Sequence, residues 1–382
     1  MRRREVGQSL QLLAQRGLEL AFLLLDGRHL LLDLCALLTQ LAHLIALGIT
    51  AALDGLPHRA ADAIALGLEL AALLQQITEF GDPLPQLILT GGDPLLRPDL
   101  FEFIDEARRL GIGVSITPAA TPALTRDMLV KLMDHGVDGL GLSLDGSTPE
   151  RHDGIRGVPG TFARTMQAIA WATELKMPLQ VNTLCAAETA DDMPALFELL
   201  KPYGVTRWSL FFLISVGRGK VLEALPPEKA EELMSWIYET SKAAPFTVAT
   251  TEAPSYRRVA IERMREDGLH GEQIKRSGVG RGFGIRDGHG IVFVSCTGDI
   301  CPAGFLPLTA GNVRKDKLAD IYRHSPLFEQ LHDPSQFEGH CGVCEFRALC
   351  GGSRARAFGA TGDPLASDPL CTFVPSISAA AE

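Results

Sequence analysis

The chain has no excess of basic charge. Lys and Arg total 36 against 46 Asp and Glu, a formal net charge of −10, whereas a general nucleic-acid binder would carry a basic patch. Cysteine is sparse as well: there are 8 in 382 residues, and half of them fall between Cys341 and Cys371. That is not the density of a disulfide-stapled scaffold, and a reducing cytoplasm fits it best. No small-residue cleavage site follows a short apolar core after the basic start Met1-Arg-Arg-Arg, so a signal peptide is not expected. Formal charge is missing altogether from Leu34 to Leu53, a run of about 20 residues and so about long enough to cross a bilayer. Thr39, Gln40, His43, Gly48 and Thr50 interrupt that run, and Asp26, Arg28, His29 and Asp33 stand just before it. A buried helix, or a helix and turn, is therefore expected there rather than a membrane span.

What the chain does have is a regular alternation of apolar strands and helical patterns. Strands are expected at 86–90, 113–117, 139–145, 179–184 and 206–214, with helices at 98–110, 125–135, 161–175 and 192–201 between them. Strands too continuously apolar to have one wet face, repeating about every thirty residues, are the mark of βαβ units in a parallel sheet. Five strands are counted from residue 86, and one more before them would complete a six-unit open barrel. Chemistry in such folds gathers in the loops at the C-terminal ends of the strands. After Ile214 the rhythm breaks. A helix at 227–242 leads to a strand-like 246–251, then a Gly-, Arg- and Lys-rich connection over 265–290. The stretch Gly290 to Cys301 reads as a hairpin turning on Thr-Gly-Asp. The length suits one large α/β domain and a smaller second module from about residue 282 to the end.

The strongest chemical signal is Cys341-Gly-Val-Cys344, then Cys350, then Cys371. Thiolates in a C-x2-C-x5-C…C order can converge on zinc, cuprous copper or an iron–sulfur cluster, against the alternatives of two disulfides or free structural cysteines. Gly91-Gly92-Asp93-Pro94 follows a strand end, where glycines allow close backbone approach and a carboxylate can accept from an ammonium; a plain tight turn reads equally well. Ser143 and Asp145 end another strand on one side by alternation, either toward ribose hydroxyls or as an ordinary Asp-Gly turn. Asn182 lies mid-strand, a polar group that needs a core partner or a ligand.

In combination the order Leu-Thr-Gly-Gly-Asp-Pro-Leu-Leu-Arg-Pro-Asp-Leu, Ser-Leu-Asp-Gly-Ser with His152-Asp-Gly-Ile-Arg156, and Cys-Gly-Val-Cys-Glu-Phe-Arg-Ala-Leu-Cys-Gly-Gly resembles radical S-adenosylmethionine (SAM) enzymes with a C-terminal SPASM module. The likeness runs from Phe80 to Gly219 and from Gly290 to Pro375, and is closest to the branch of heme-pathway decarboxylases and peptide maturases. It implies a partial (β/α)6 TIM-like barrel over 58–264 and a small cysteine-rich iron–sulfur module over 282–376. By the same likeness Gly91, Gly92 and Asp93 hold the SAM amino group. Ser143, Asp145 and Asn182 hold its ribose and carboxylate, and Cys341, Cys344, Cys350 and Cys371 bind an auxiliary [4Fe-4S] cluster. Cys296 and Cys301 flank a hairpin where some members place ligands of a second cluster, although two thiols do not make a set; Cys185 reads as a buried apolar residue. Glu252, Tyr256, Arg257 and Arg258 are either polar substrate contacts or the start of a solvated helix. The implied activity is an oxidoreductase or maturase working on a peptide or porphyrin-like substrate. A reductant such as flavodoxin or ferredoxin would be its partner, with no nucleic acid or membrane involved.

One defining feature of that family is missing. Its C-x3-C-x2-C loop, whose thiolates hold the cluster that cleaves SAM, should fall near residues 40–52, which contain no cysteine; Cys35 stands alone nearby. Residues 1–57, dense in Leu and Ala, replace the expected first strand and cluster loop. Three readings follow: an altered sequence in this segment, a catalytically degenerate homologue that keeps an auxiliary cluster or zinc as a binding or scaffold protein, or a zinc protein of another family. Translating the encoding DNA in the other two frames over this segment separates the first from the rest.

Overall fold

The computed structural model describes residues 71–280 and 285–376. Six strands form one sheet in sequence order: β1 Leu87–Leu89, β2 Val114–Ile116, β3 Gly139–Ser143, β4 Leu179–Cys185, β5 Val205–Phe212 and β6 Thr247–Thr251. Every neighbouring pair is parallel. Between them run α1 Leu100–Arg109, α2 Arg126–Asp134, α3 Pro149–Arg156, α4 Thr161–Glu174, α5 Met193–Leu200 and α6 Pro227–Ser241, with α7 Tyr256–Glu266 after the last strand. The strands and helices expected between 86 and 214 are present with ends shifted by one or two residues, as fraying at element ends would give. The strand expected before residue 86 lies outside the described residues, as does the Leu34–Leu53 run. Among the described residues no helix is long and apolar enough to cross a membrane.

Two features depart from the sequence reading. Thr247–Thr251 does not stand outside the rhythm: it pairs in parallel with β5 from Arg207–Thr247 to Phe211–Thr251 and is the sixth strand of the sheet. The helix α3 was not anticipated, because only His152 of its eight residues is buried and its sequence carries little apolar period. Thr148 caps it, accepting from the Arg151 N–H, and Gly157 ends it in the left-handed region at φ 69°.

Burial alternates along β4: Leu179, Val181, Thr183 and Cys185 are buried, while Gln180, Asn182 and Leu184 are half-buried. The buried set packs on the helices with Trp208 and Leu210 of β5, and the Trp208 indole N–H donates to Thr183 Oγ1 at 2.9 Å across the two strands. Phe197, Trp236 and Phe246 close round Trp208 with ring centroids 5.8–6.4 Å apart. The opposite face of the sheet carries the polar alternates.

Beyond α7 come α8 Glu272–Arg276, then a three-stranded antiparallel sheet of β7 Phe293–Val294, β8 Asp299–Cys301 and β9 Gly311–Asn312. The β7–β8 hairpin turns on Thr297-Gly298, as expected, with Gly298 at φ 85°. Helices α9 Leu318–His324, α10 Pro326–His332, α11 Gly339–Val343 and α12 Arg354–Thr361 follow. Gln76 ties this part to the helical residues before β1, donating to the Val313 carbonyl (3.1 Å) and accepting from the Leu318 N–H (2.8 Å).

Candidate SAM loops and auxiliary iron–sulfur centre

The loops after β1 and β3 carry Gly91, Gly92, Asp93 and Asp145, while Ser143 ends β3 and Asn182 lies within β4. Gly91 adopts φ 118°, which side chains rarely tolerate, and a Cβ at Gly91 or Gly92 would meet nothing within 4 Å. The backbone there is open to a ligand. Asp93 braces the loop: one carboxylate oxygen accepts from the Leu95 N–H at 3.2 Å and the other from Thr121 Oγ1 at 2.9 Å. Ser143 and Asn182 are register partners across β3 and β4. Gln180 Nε2 donates to Asn182 Oδ1 at 2.7 Å, which orients the amide.

Asp145 is only 3 % exposed, and both its oxygens are engaged inside the protein. One accepts from the Leu184 N–H (2.8 Å) and the other pairs with Arg156 Nη2 (2.6 Å), while its own N–H donates to His152 Nδ1 (2.9 Å). The carboxylate thus clips the ends of β3 and β4 to α3. Burial holds His152 below the usual histidine value, and it sits neutral against this clip.

The four cysteines of the C-terminal run are brought together. Cys341, Cys344, Cys350 and Cys371 line one cavity of about 240 Å³ with Arg258 and Phe346. Backbone N–H groups point at three of the sulfurs: Phe346 at Cys344 Sγ (3.4 Å), Gly352 at Cys350 Sγ (3.4 Å) and Asp368 at Cys341 Sγ (3.5 Å). Arg354 Nη2 approaches Cys341 Sγ at 3.6 Å. All four thiols are free of disulfides. Burial pushes Cys371 up to about 11 and raises Cys344 and Cys350, with the neighbouring thiols adding to the effect. Three thiols that resist ionising alone, in a set ringed with donors to sulfur, suit a metal centre that would itself deprotonate them. No three His, Cys, Asp or Glu side chains among the described residues sit close enough to hold a single metal ion. Four thiols lining one cavity are the donor set that a [4Fe-4S] cluster takes. Cys296, exposed, and Cys301, buried on β8, do not line this cavity. Cys185 is fully buried at the end of β4.

The segment read as either substrate contacts or the start of a solvated helix lies mostly inside. Tyr256 and Arg258 are buried, and Arg258 is paired with Glu231 at 2.5 Å and Glu262 at 2.6 Å. Glu252, at φ 58°, turns its carboxylate to Ser353 Oγ (2.7 Å) and shares a hydrogen bond with the buried carboxyl of Asp287. Asp287 accepts from the Ala355 N–H (2.8 Å) and Asp368 from the Ser353 N–H (2.8 Å). Arg356 donates to the Glu252 carbonyl at 2.7 Å. Sequence reasoning missed this junction. Its members are scattered from 252 to 368, and the only signal was the Gly-Gly-Ser-Arg run directly after Cys350.

A parallel partial barrel with open glycine loops at one end and four converging thiols beside it defines a class of SAM- and cluster-dependent proteins. The pattern of the radical SAM superfamily matches residues 67–208. The chain is 34% identical over 313 residues to an AdoMet-dependent heme synthase of Methanosarcina barkeri, covering 80% of this chain and 87% of that one. It is 35% identical over 316 residues to the protein of the same name from Oleidesulfovibrio alaskensis, covering 82% and 81%. Streptococcus suis SuiB, solved bound to S-adenosylmethionine, shares the fold with a TM-score of 0.62 at 17% identity, over 80% of this chain and 70% of that one. The chain belongs to the radical SAM superfamily, whose cofactors are S-adenosylmethionine and [4Fe-4S] clusters. That sets aside the reading of a zinc protein from another family. The four C-terminal cysteines fit a cluster. The SAM-chelating cluster is different: only Cys35 precedes the barrel, and no C-x3-C-x2-C occurs anywhere among the 8 cysteines, so the residues of this chain do not fit it.

Proposed function

We propose that the chain is a radical SAM/SPASM-type protein that binds a porphyrin-type tetrapyrrole beside an auxiliary cluster, with residues 58–264 as its barrel and 282–376 as a SPASM-like module. Because the chain has no cysteine set for the SAM-chelating cluster, its residues support binding of SAM and tetrapyrrole rather than SAM cleavage. The observation that carries it is the convergence of Cys341, Cys344, Cys350 and Cys371 on one cavity with N–H groups aimed at their sulfurs. The identity with heme synthases, spread over most of both chains, supports a tetrapyrrole over a peptide.

In this reading the backbone of Gly91 and Gly92 approaches the amino end of SAM, and Asp93 shapes the loop and faces its charge. Ser143 and Asn182, side by side on β3 and β4, contact the ribose and carboxylate. Asp145 holds the loop that carries them. The four cysteines hold an auxiliary [4Fe-4S] cluster, which when bound supplies one-electron transfer or an anchor for substrate. An external one-electron donor such as a flavodoxin or ferredoxin would reduce it.

The test is anaerobic reconstitution of the full chain, with iron and sulfide counted, then titration with an iron coproporphyrin. About four irons and four sulfides per chain are expected from the one cysteine set, with a saturable shift of the porphyrin absorption band. Stoichiometric zinc without sulfide would overturn the cluster. Binding of a precursor-type peptide with no porphyrin shift would overturn the substrate.

A further inference from the structure

Arg286 is 4 % exposed, and its Nε, Nη1 and Nη2 have no hydrogen-bond partner among the described residues. A guanidinium cannot shed its charge, so burying one bare is costly unless an anion answers it. Its surroundings make matters worse. Arg354, fully buried, lies over the Phe337 ring at 4.6 Å, and Arg286 lies over the same ring at 5.4 Å. Burial and the Arg354 charge together press Arg286 down to about 10. His289 and His332 feel its charge as a repulsion. The group able to offer it a negative charge is the Cys350 thiol, once deprotonated. Gly351, next to that cysteine, packs on the arginine so closely that a Cβ there would lie 3.2 Å from Arg286 Cδ and Nε.

The other two buried arginines at the site are already provided for. Arg258 has Glu231 and Glu262. Arg354 donates to the Pro364 and Ala366 carbonyls at 3.0 and 2.8 Å and reaches Cys341 Sγ. Among the described residues, Arg286 alone of the three has no carboxylate or carbonyl partner for its guanidinium. A [4Fe-4S]2+ core on four thiolates carries a net negative charge, spread over sulfurs that include that of Cys350, the neighbour in sequence of the Gly351 that packs on Arg286.

We propose that Arg286 is a positioning residue for the auxiliary centre: its buried charge is compensated only by the thiolate-bound cluster, which it holds in place and whose reduction potential it raises. This rests on the cluster assignment above. It makes an unusual demand, because the same side chain must destabilise the empty protein and stabilise the loaded one. A residue that merely packs on Phe337 would affect both forms in the same direction.

The test compares the reconstituted full chain with the same chain stripped by chelator, as wild type, Arg286→Met and Arg286→Lys. In loaded protein, Arg286→Met should lose iron to a chelator about tenfold faster or more, with its potential shifted negative; Arg286→Lys, which keeps the charge, should stay near wild type in potential. In stripped protein, Arg286→Met should unfold at a higher urea concentration than wild type. Equal destabilisation of both forms with an unchanged potential would overturn the proposal. Failure of the cluster assignment reads differently, since wild type itself would then take up no iron and sulfide.

Discussion

Glu252→Gln should flatten the pH dependence of stability between pH 6 and 8. Glu252 and Asp287 share a hydrogen bond between two carboxyl groups, which requires a proton. Burial, and then the neighbouring Asp287, push Glu252 up to about 8 from an ordinary 4.5, although Ser353 and Arg356 oppose the shift. Asp287 is likewise raised, mainly by burial, against its hydrogen bond from Ala355 and the Arg354 charge. The pair titrates as a unit, so the proton belongs to both.

An unfolded glutamate has released its proton by pH 6, whereas the folded pair still holds one. The native state therefore binds more protons in this window. The stability the pair contributes is fully present below the ordinary value of 4.5 and is lost as pH rises to about 8. One proton is worth about 1.4 kcal/mol per pH unit, so the wild type should lose about 2 kcal/mol from this pair between pH 6 and 8. Glutamine keeps the geometry without the proton: its amide can donate to Asp287 while its carbonyl accepts from Ser353. Urea unfolding of both proteins at pH 6, 7 and 8 reads the difference directly. Parallel profiles for wild type and Glu252→Gln would refute the shared proton.

Asp145→Ala should cost about 1–3 kcal/mol, because it leaves the Leu184 N–H unpaired and removes the partner of the half-buried Arg156. The urea midpoint measures it, and a stable variant that has lost only SAM affinity would show that the carboxylate is a ligand contact instead. Cys344→Ala should leave well under half of the about four irons per chain, read by iron analysis after reconstitution; full iron retention would move the cluster elsewhere. Gly352→Ala should weaken the same site, since at φ 65° its Cβ would sit 2.6 Å from Arg354 Nη2, 2.7 Å from Asp368 Cβ and 3.2 Å from Cys341 Sγ. A loss of about 1–3 kcal/mol and of cluster colour is expected, and an unchanged spectrum would contradict the packing.

Five strands were legible because each is a mainly apolar run set between helical patterns, and their ends fell within one or two residues. Thr247–Thr251 was harder to place. Three of its five residues are threonine, so nothing local sets it inside a parallel sheet; pairing with β5 does. The cysteine set could be read from spacing, and so could the missing C-x3-C-x2-C, because both are statements about order along the chain.

What spacing could not express is which side chains meet. Asp145 looked like one of two neighbours facing a ligand, but the turn after Ser143 sends it inward to Arg156 and the Leu184 N–H. Arg286 lay in a stretch that read as a connection, and only the fold sets it beside Phe337 and Gly351, more than fifty residues away. Strand periodicity and thiol spacing are local and survive in one dimension. Burial and charge compensation depend on groups far apart in sequence. The sequence by itself therefore determined the barrel, its family and the spacing of four cysteines, and the tertiary structure decided that those cysteines share one cavity and which charges gather round it.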